Sequence, residues 1–117
     1  MTLRDDIIKT IKEEFPNAEF EVHERRDTIL EIRATLQKDV FVEVYANFLT
    51  SKRSYTLIYK GDRIFGYDNY KFWHYHPLKD PNIHISCEEP SVSFVIQQIR
   101  ETIEIWRQYR EGSNFGG

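Results

Sequence analysis

The sequence predicts an α+β fold with two layers, in which an antiparallel meander of five to six strands carries an N-terminal and a C-terminal helix on one face. Apolar residues recur at helical spacing near both ends of the chain and alternate with polar residues between them. Successive short turns leave no room for crossover helices, which excludes a parallel sheet. Each amphipathic helix needs an apolar partner surface, and one face of the sheet supplies it.

The two predicted helices are capped and amphipathic. Thr2 can cap the first helix, which Pro16 and Asn17 end, and the second helix starts after Pro90. The apolar stripe of the first helix contains Leu3, Ile7, Ile8, Ile11 and Phe15, and that of the second contains Val92, Val95, Ile96, Ile99, Ile103 and Trp106. We predict one domain over residues 1–111 and a mobile tail over 112–117.

Alternation of apolar and polar residues predicts the strands. They fall near residues 19–24, 29–36, 39–49, 53–59 and 64–69, and NIHIS at 82–86 is a candidate for a sixth. With Gly61 and Asp62 as a two-residue hairpin turn, Tyr59 would face Ile64 and Tyr55 would face Asp68. Residues 70–82 are predicted to form a loop. In the sixth strand, Ile83, Ile85 and Cys87 would point to the core, opposite His84 and Ser86.

Composition limits the number of domains, the disulfides and the cellular compartment that are expected. The chain of 117 residues suits a single domain, and its one cysteine, Cys87, excludes an internal disulfide. No signal peptide or transmembrane segment is recognisable, so a cytoplasmic protein without membrane contact is expected. Residues 50–84 hold six bases and three acids, a net charge of +3, whereas the remaining ten bases and sixteen acids give −6. This basic segment can attract phosphate, although solvated lysines would give the same pattern.

The histidine-rich stretch 67–86 carries the candidate chemistry. His84 can transfer protons near neutral pH, and RNA cleavage needs such a base, an acid and a positive charge beside the phosphate. His84, His76, Asp68 and Lys71 would suffice without a metal. The alternatives are an exposed histidine with no function and, for Asp68 with Asn69, an ordinary turn in which side chains bond to the backbone.

A metal site is a further alternative for the same stretch. His74 and His76 are separated by one residue, so in an extended segment both would point the same way. His84 and Asp68 could then complete three or four ligands. Because residues 70–82 read as a loop, the sequence does not favour this alternative over packing of the rings.

Part of the chain resembles a known family. The segments YTLIYKGDRIFGYDN, PNIHIS and EPSVSFVIQQIRETI, within residues 53–106, are similar to TumE, the toxin-like member of a prokaryotic toxin–antitoxin pair. Tyr67, Asp68 and Asn69 match the family's turn, and Pro81 and His84 match part of its histidine motif. The second histidine of that motif is absent here. The resemblance implies a toxin role, with RNA cleavage restrained by a DNA-binding helix-turn-helix antitoxin partner.

Two hypotheses follow from these observations. In the first, the protein is a TumE-like ribonuclease that uses no metal or cofactor. Its catalytic residues are His84, Asp68, Lys71 and His76, and its substrate-binding residues are Tyr67, Asn69, Lys79 and Arg63. In the second, the protein is a non-enzymatic interaction domain that binds a partner protein through the open face of the sheet, with Tyr45 and Asn47. An exposed edge strand would also permit a homodimer.

Overall fold

The computed structural model describes the backbone of residues 1–115 and the side chains of residues 1–110. Its elements are α1 (Leu3–Glu14), β1 (Glu19–Arg25), β2 (Ile29–Gln37), β3 (Val40–Asn47), β4 (Lys52–Tyr59), β5 (Asp62–Asp68), β6 (His74–His76), β7 (Ile85–Ser86) and α2 (Val92–Phe115). The predicted α+β fold with two helices is confirmed.

The seven strands form one antiparallel sheet in the order of the chain, from β1 at one edge to β7 at the other. Each strand therefore pairs only with its neighbours in sequence, as expected for a meander. The sheet has one strand more than the sequence predicts, because β6 lies inside the segment 70–82 that was predicted to be a loop. Pro77, Asp80 and Pro81 follow this short strand rather than replace it.

Both helices pack on one face of the sheet and close a single core. The residues of the two predicted stripes that are buried there are Ile7, Ile11, Phe15, Val92, Val95, Ile96, Ile99, Ile103 and Trp106. From the sheet they meet Leu30, Ile32, Ala34, Val40, Val42, Val44, Ala46, Tyr55, Leu57 and Phe65. Burial of each large aliphatic side chain contributes about 1.5–3 kcal/mol to folding.

Side chains cap the start of each helix. Thr2 Oγ1 accepts a hydrogen bond from the Asp5 amide at 3.1 Å, as the sequence predicts. Ser91 Oγ accepts one from the Phe94 amide at 3.2 Å. Helix α2 continues to Phe115, so residues 112–115 of the predicted tail have helical backbone. The mobility of that tail stays a prediction, and residues 116–117 lie outside the described part of the chain.

The predicted register of the β4–β5 hairpin is wrong. The turn is formed by Lys60 and Gly61, which have φ angles of 50° and 83°, so Tyr59 pairs with Asp62. Positive φ at both central residues is the signature of a turn that matches the strand twist. An irregularity at Leu57/Ile58 then shifts the pairing once more, so that Tyr55 faces Tyr67 and Ser54 faces Asp68.

The prediction for the last strand is also wrong. Strand β7 has only two residues, and the side chains of Ile83 and Ile85 are 48% and 37% exposed. Neither isoleucine joins the buried core, and His84 precedes the strand. A strand that pairs with the three-residue β6 lies beyond the reach of the helices, which explains why its apolar residues face solvent.

At the other edge, β1 has no second partner strand among residues 1–110. A homodimer formed through this edge stays a prediction. Neither of the two described helices is long and apolar enough to cross a membrane.

Candidate functional site

Strand β6 brings two histidines beside Asp68. In the pairing of β5 with β6, His74 lies opposite Asp68 and His76 lies opposite Gly66. Because side chains alternate along a strand, Asp68, His74 and His76 project from the same face of the sheet. Tyr67 and Tyr75 project from the other face, where Tyr67 packs against Phe94 of helix α2. The histidine face is thus the one that the helices leave uncovered.

One carboxylate contacts both histidines. Asp68 Oδ1 lies 3.1 Å from His74 Nε2, and Asp68 Oδ2 lies 3.0 Å from His76 Nε2. The other ring nitrogens face backbone carbonyls, with 2.9 Å from His74 Nδ1 to Phe72 O and 3.1 Å from His76 Nδ1 to Pro81 O. All four ring nitrogens of these two histidines therefore have an oxygen acceptor as neighbour.

The two histidines are deeply buried, whereas the carboxylate reaches the surface. The side chains of His74 and His76 are 4% and 2% exposed, and that of Asp68 is 21% exposed. Burial lowers the pKa of His76, and the charge of Arg63 lowers it further, although the hydrogen bond to Asp68 opposes both. His76 does not have the solvent contact that the sequence-based role in proton transfer requires.

His84 lies on the outer side of this cluster. Its ring stacks on that of His74, with centroids 4.8 Å apart and planes 1° from parallel, and it meets the edge of His76 at 4.5 Å. The residue is exposed, and no hydrogen bond or ion pair holds it within residues 1–110. The structure brings His84 and Asp68 to one site, but Asp68 orients His74 and His76 rather than His84. We call Asp68, His74, His76 and His84 the histidine cluster.

Arg63 is the predicted substrate-binding residue that lies beside the histidine cluster. Its guanidinium donates to Pro81 O at 3.4 Å, the same carbonyl that His76 contacts. Lys71 and Lys79 are exposed, and among the described residues no hydrogen bond or ion pair joins them to the cluster. Lys71 instead lies near the ring of Tyr70.

Tyr67 and Asn69, also predicted to bind substrate, lie away from the histidine cluster. Tyr67 is buried on the helix side, where burial raises the pKa of its hydroxyl to about 12. Asn69 accepts from the Arg53 amide at 2.8 Å and donates to Ser51 O at 2.6 Å. Its side chain thus joins the end of β5 to the start of β4, whereas the local turn bond is made by Asp68, whose Oδ1 accepts from the Tyr70 amide at 3.0 Å.

The open face of the sheet between β1 and β4 is the surface that would bind a partner protein in the interaction-domain hypothesis. A shallow depression there is lined by charged and hydroxyl-bearing residues that include Glu21, Glu31, Arg33, Glu43 and Tyr45. Arg33 and Glu43 form an ion pair across β2 and β3. Asn47 is occupied in the adjacent turn, where its side-chain oxygen accepts from the Leu49 and Thr50 amides.

From the sequence, His74 was a candidate only in the alternative metal site. In the structure it contacts Asp68, His76 and His84 and so lies at the centre of the histidine cluster. The available signal was the one-residue spacing of His74 and His76, which in an extended segment puts both rings on one side. What the sequence did not show is that three residues inside a proline-rich segment would pair with β5. Comparisons with models of protein families, with curated proteins and with solved structures found no match to this chain.

Proposed function

We propose that this protein is a TumE-like toxin component that cleaves RNA, with His84 as the proton-transfer residue. The observation that carries the proposal is the position of His84. It is exposed and unpaired in the described chain, and its ring rests on a buried network of Asp68, His74 and His76. An accessible imidazole with a rigid support is what general acid–base chemistry on a macromolecular substrate requires.

The proposed reaction uses the 2′-hydroxyl of RNA as the nucleophile. A ring nitrogen of His84 takes the 2′-hydroxyl proton while the 2′-oxygen forms a bond to phosphorus. The bond from phosphorus to the 5′-oxygen breaks, the leaving oxygen takes a proton from water, and the resulting hydroxide takes back the proton that His84 holds. The products are a 2′,3′-cyclic phosphate and a 5′-hydroxyl end, and no oxidant or further reactant is consumed.

The positive charge that this reaction needs comes from Arg63 in the proposal. Arg63 lies beside His76, whose ring meets that of His84, and a positive charge near a phosphorane lowers the barrier. Lys71 and Lys79 are exposed in the same segment and would attract the RNA backbone over a longer range. Asp68, His74 and His76 act as positioning residues, since their polar atoms already contact one another.

The test is cleavage of a defined RNA by the full chain. We expect 5′-hydroxyl and cyclic phosphate ends, and no cleavage of the same RNA with a 2′-deoxy residue at the cut site. His84→Ala and His84→Phe should both lose the activity, because neither side chain can carry a proton. His23→Ala is the matched control, since His23 is an exposed histidine on β1 at the far end of the sheet. Equal cleavage by His84→Phe would discard the proposal.

We further propose a helix-turn-helix antitoxin as the partner and the cytoplasm as the location. Expression of the chain alone should arrest growth, and coexpression of a small DNA-binding protein encoded by the adjacent gene should relieve the arrest. If every RNA stays intact but the adjacent gene product forms a stoichiometric complex, the interaction-domain hypothesis replaces this one. The open sheet face, with its Arg33–Glu43 pair, would then be the surface to mutate first.

A further inference from the structure

The space between Asp68, His74 and His76 has the features of a metal site. One ligand atom from each residue, a carboxylate oxygen or a ring nitrogen, lies within 4.8 Å of the other two. We propose that these three side chains bind a divalent transition-metal ion through Asp68 and the Nε2 atoms of both histidines. This inference goes beyond RNA cleavage, and binding of the ion can be measured without any substrate.

The hydrogen-bond partners support a cation at this point. A backbone carbonyl only accepts hydrogen bonds, so the Nδ1 atoms that face Phe72 O and Pro81 O carry the ring protons. In a neutral ring of this tautomer, Nε2 carries no proton and has a free lone pair. Both Nε2 atoms point at oxygens of Asp68. Two acceptors face a carboxylate, and a cation between them would satisfy all three groups.

The alternative arrangement is two protonated rings that share one carboxylate. It would place two positive charges on side chains that are 4% and 2% exposed, beside Arg63, whose guanidinium shares the Pro81 carbonyl with His76. A metal ion instead places its charge among three ligand atoms.

The surroundings of the three ligands match those of known metal sites. Histidine ligands usually donate the other ring N–H to a carbonyl or carboxylate, which fixes the tautomer and the ring orientation. Phe72 O and Pro81 O provide this contact for His74 and His76. Asp68 Oδ1 lies 3.1 Å from His74 Nε2 and Asp68 Oδ2 lies 3.0 Å from His76 Nε2, close to the edge of about 3.3 Å in a tetrahedral zinc site. All three ligand atoms lie within 4.8 Å of one another, so they would draw together around an ion.

The ligand types limit which ions fit. Two imidazoles and one carboxylate suit Zn²⁺, Co²⁺, Ni²⁺ or Fe²⁺, whereas Mg²⁺ and Ca²⁺ prefer oxygen ligands only. Three protein ligands leave at least one position for water or substrate, as in catalytic rather than structural zinc sites. The exposed ring of His84 neighbours both histidine ligands, with centroids 4.8 Å from that of His74 and 4.5 Å from that of His76.

The test is direct titration of the full chain, prepared without a histidine tag and stripped with a chelator. Calorimetry with Zn²⁺ should give one saturable site, Mg²⁺ should give none, and Co²⁺ should produce the visible absorption of a low-coordinate complex. The variants His74→Gln, His76→Gln and Asp68→Asn should each weaken Zn²⁺ binding more than about 100-fold. His84→Ala and His23→Ala should retain one site.

Two results would overturn the inference. One is the absence of saturable binding of Zn²⁺, Co²⁺ and Ni²⁺ to the wild-type chain, which needs no variant to fold. The other is an unchanged Zn²⁺ affinity in His76→Gln when circular dichroism shows that the variant is folded. Loss of binding in His23→Ala would also contradict it, because the ion would then sit at the far edge of the sheet. A metal site without RNA cleavage would leave this inference standing and discard only the proposed function.

Discussion

The ring of His84 lies parallel to the ring of His74, 1° between the planes and 4.8 Å between the centroids. The contact joins an exposed residue that precedes β7 to a buried residue of β6. It therefore ties the loop between these strands to the sheet at a point where β7 itself contributes only two residues.

Truncation of His84 should loosen this loop. We expect His84→Ala to lower the free energy of unfolding by about 0.5–1.5 kcal/mol, the usual value of an aromatic pair. His84→Phe keeps a ring that can stack and should stay closer to the wild type. Urea denaturation of the three proteins measures the difference. Equal stability of all three would show that the stacked ring does not hold the loop.

Asn69 should prove structural rather than substrate-binding. Asn69→Ala leaves the Arg53 amide and Ser51 O without their side-chain partner, at a cost of about 1–3 kcal/mol. Asn69→Asp keeps an acceptor for the Arg53 amide but places a carboxylate against Ser51 O, so it should also destabilise the fold. Thermal unfolding reports both effects. A variant with wild-type stability but weaker RNA binding would restore the original assignment.

Alanine should destabilise the protein at Gly66 and at Gly61, for different reasons. A Cβ at Gly66 would lie 2.8 Å from Tyr55 O, so Gly66→Ala forces the backbone of β4 and β5 apart at about 1–3 kcal/mol. Gly61 has open space but φ of 83°, which costs alanine about 1–2 kcal/mol.

The pairing of Gly66 with His76 separates these two glycine variants. Gly66→Ala should shift the NMR signals of the His74 and His76 rings, and Gly61→Ala should leave them in place. Displaced ring signals in Gly61→Ala would show that the cluster depends on the turn rather than on its own strands.

Cys87 should react slowly with alkylating agents. Burial raises the pKa of its thiol, so at a given pH less of the reactive thiolate is present in the folded protein than in the unfolded chain. This preference for the neutral thiol stabilises the fold below the unfolded pKa, and the effect is lost as pH rises through the folded pKa. Iodoacetamide labelling across alkaline pH, in buffer and in urea, measures it. Equal labelling rates in the native and the unfolded chain would contradict the raised pKa of Cys87.

Periodicity alone predicted most of the fold. Alternation along β2 and β3 identified the core residues Leu30, Ile32, Ala34, Val42 and Val44, because one face of the sheet is buried under the helices. The same rule failed for Ile83 and Ile85, which alternate correctly but lie beyond the area that α2 covers. Burial of a strand face depends on what packs against it, and that is not a local property of the sequence.

The site was harder to predict than the fold. The structure brings Asp68, His76 and His84 to one site, but Asp68 contacts the buried pair His74 and His76 instead of His84. The reason is the three-residue strand β6, which is too short to show a period and is followed by turn residues. The hairpin register was missed because Lys60 and Gly61 form the turn, instead of Gly61 and Asp62, and the irregularity at Leu57/Ile58 offsets only part of that difference.

The meander also determines how the site is assembled. The histidine cluster lies between residues 68 and 84, and every strand pairs with its neighbour in sequence, so the whole cluster is assembled through local contacts. Helix α2 follows the cluster in the chain and covers the opposite face of the sheet. The chemical groups are thus gathered by pairing between sequence neighbours, whereas the core that supports them also needs a helix from further along the chain.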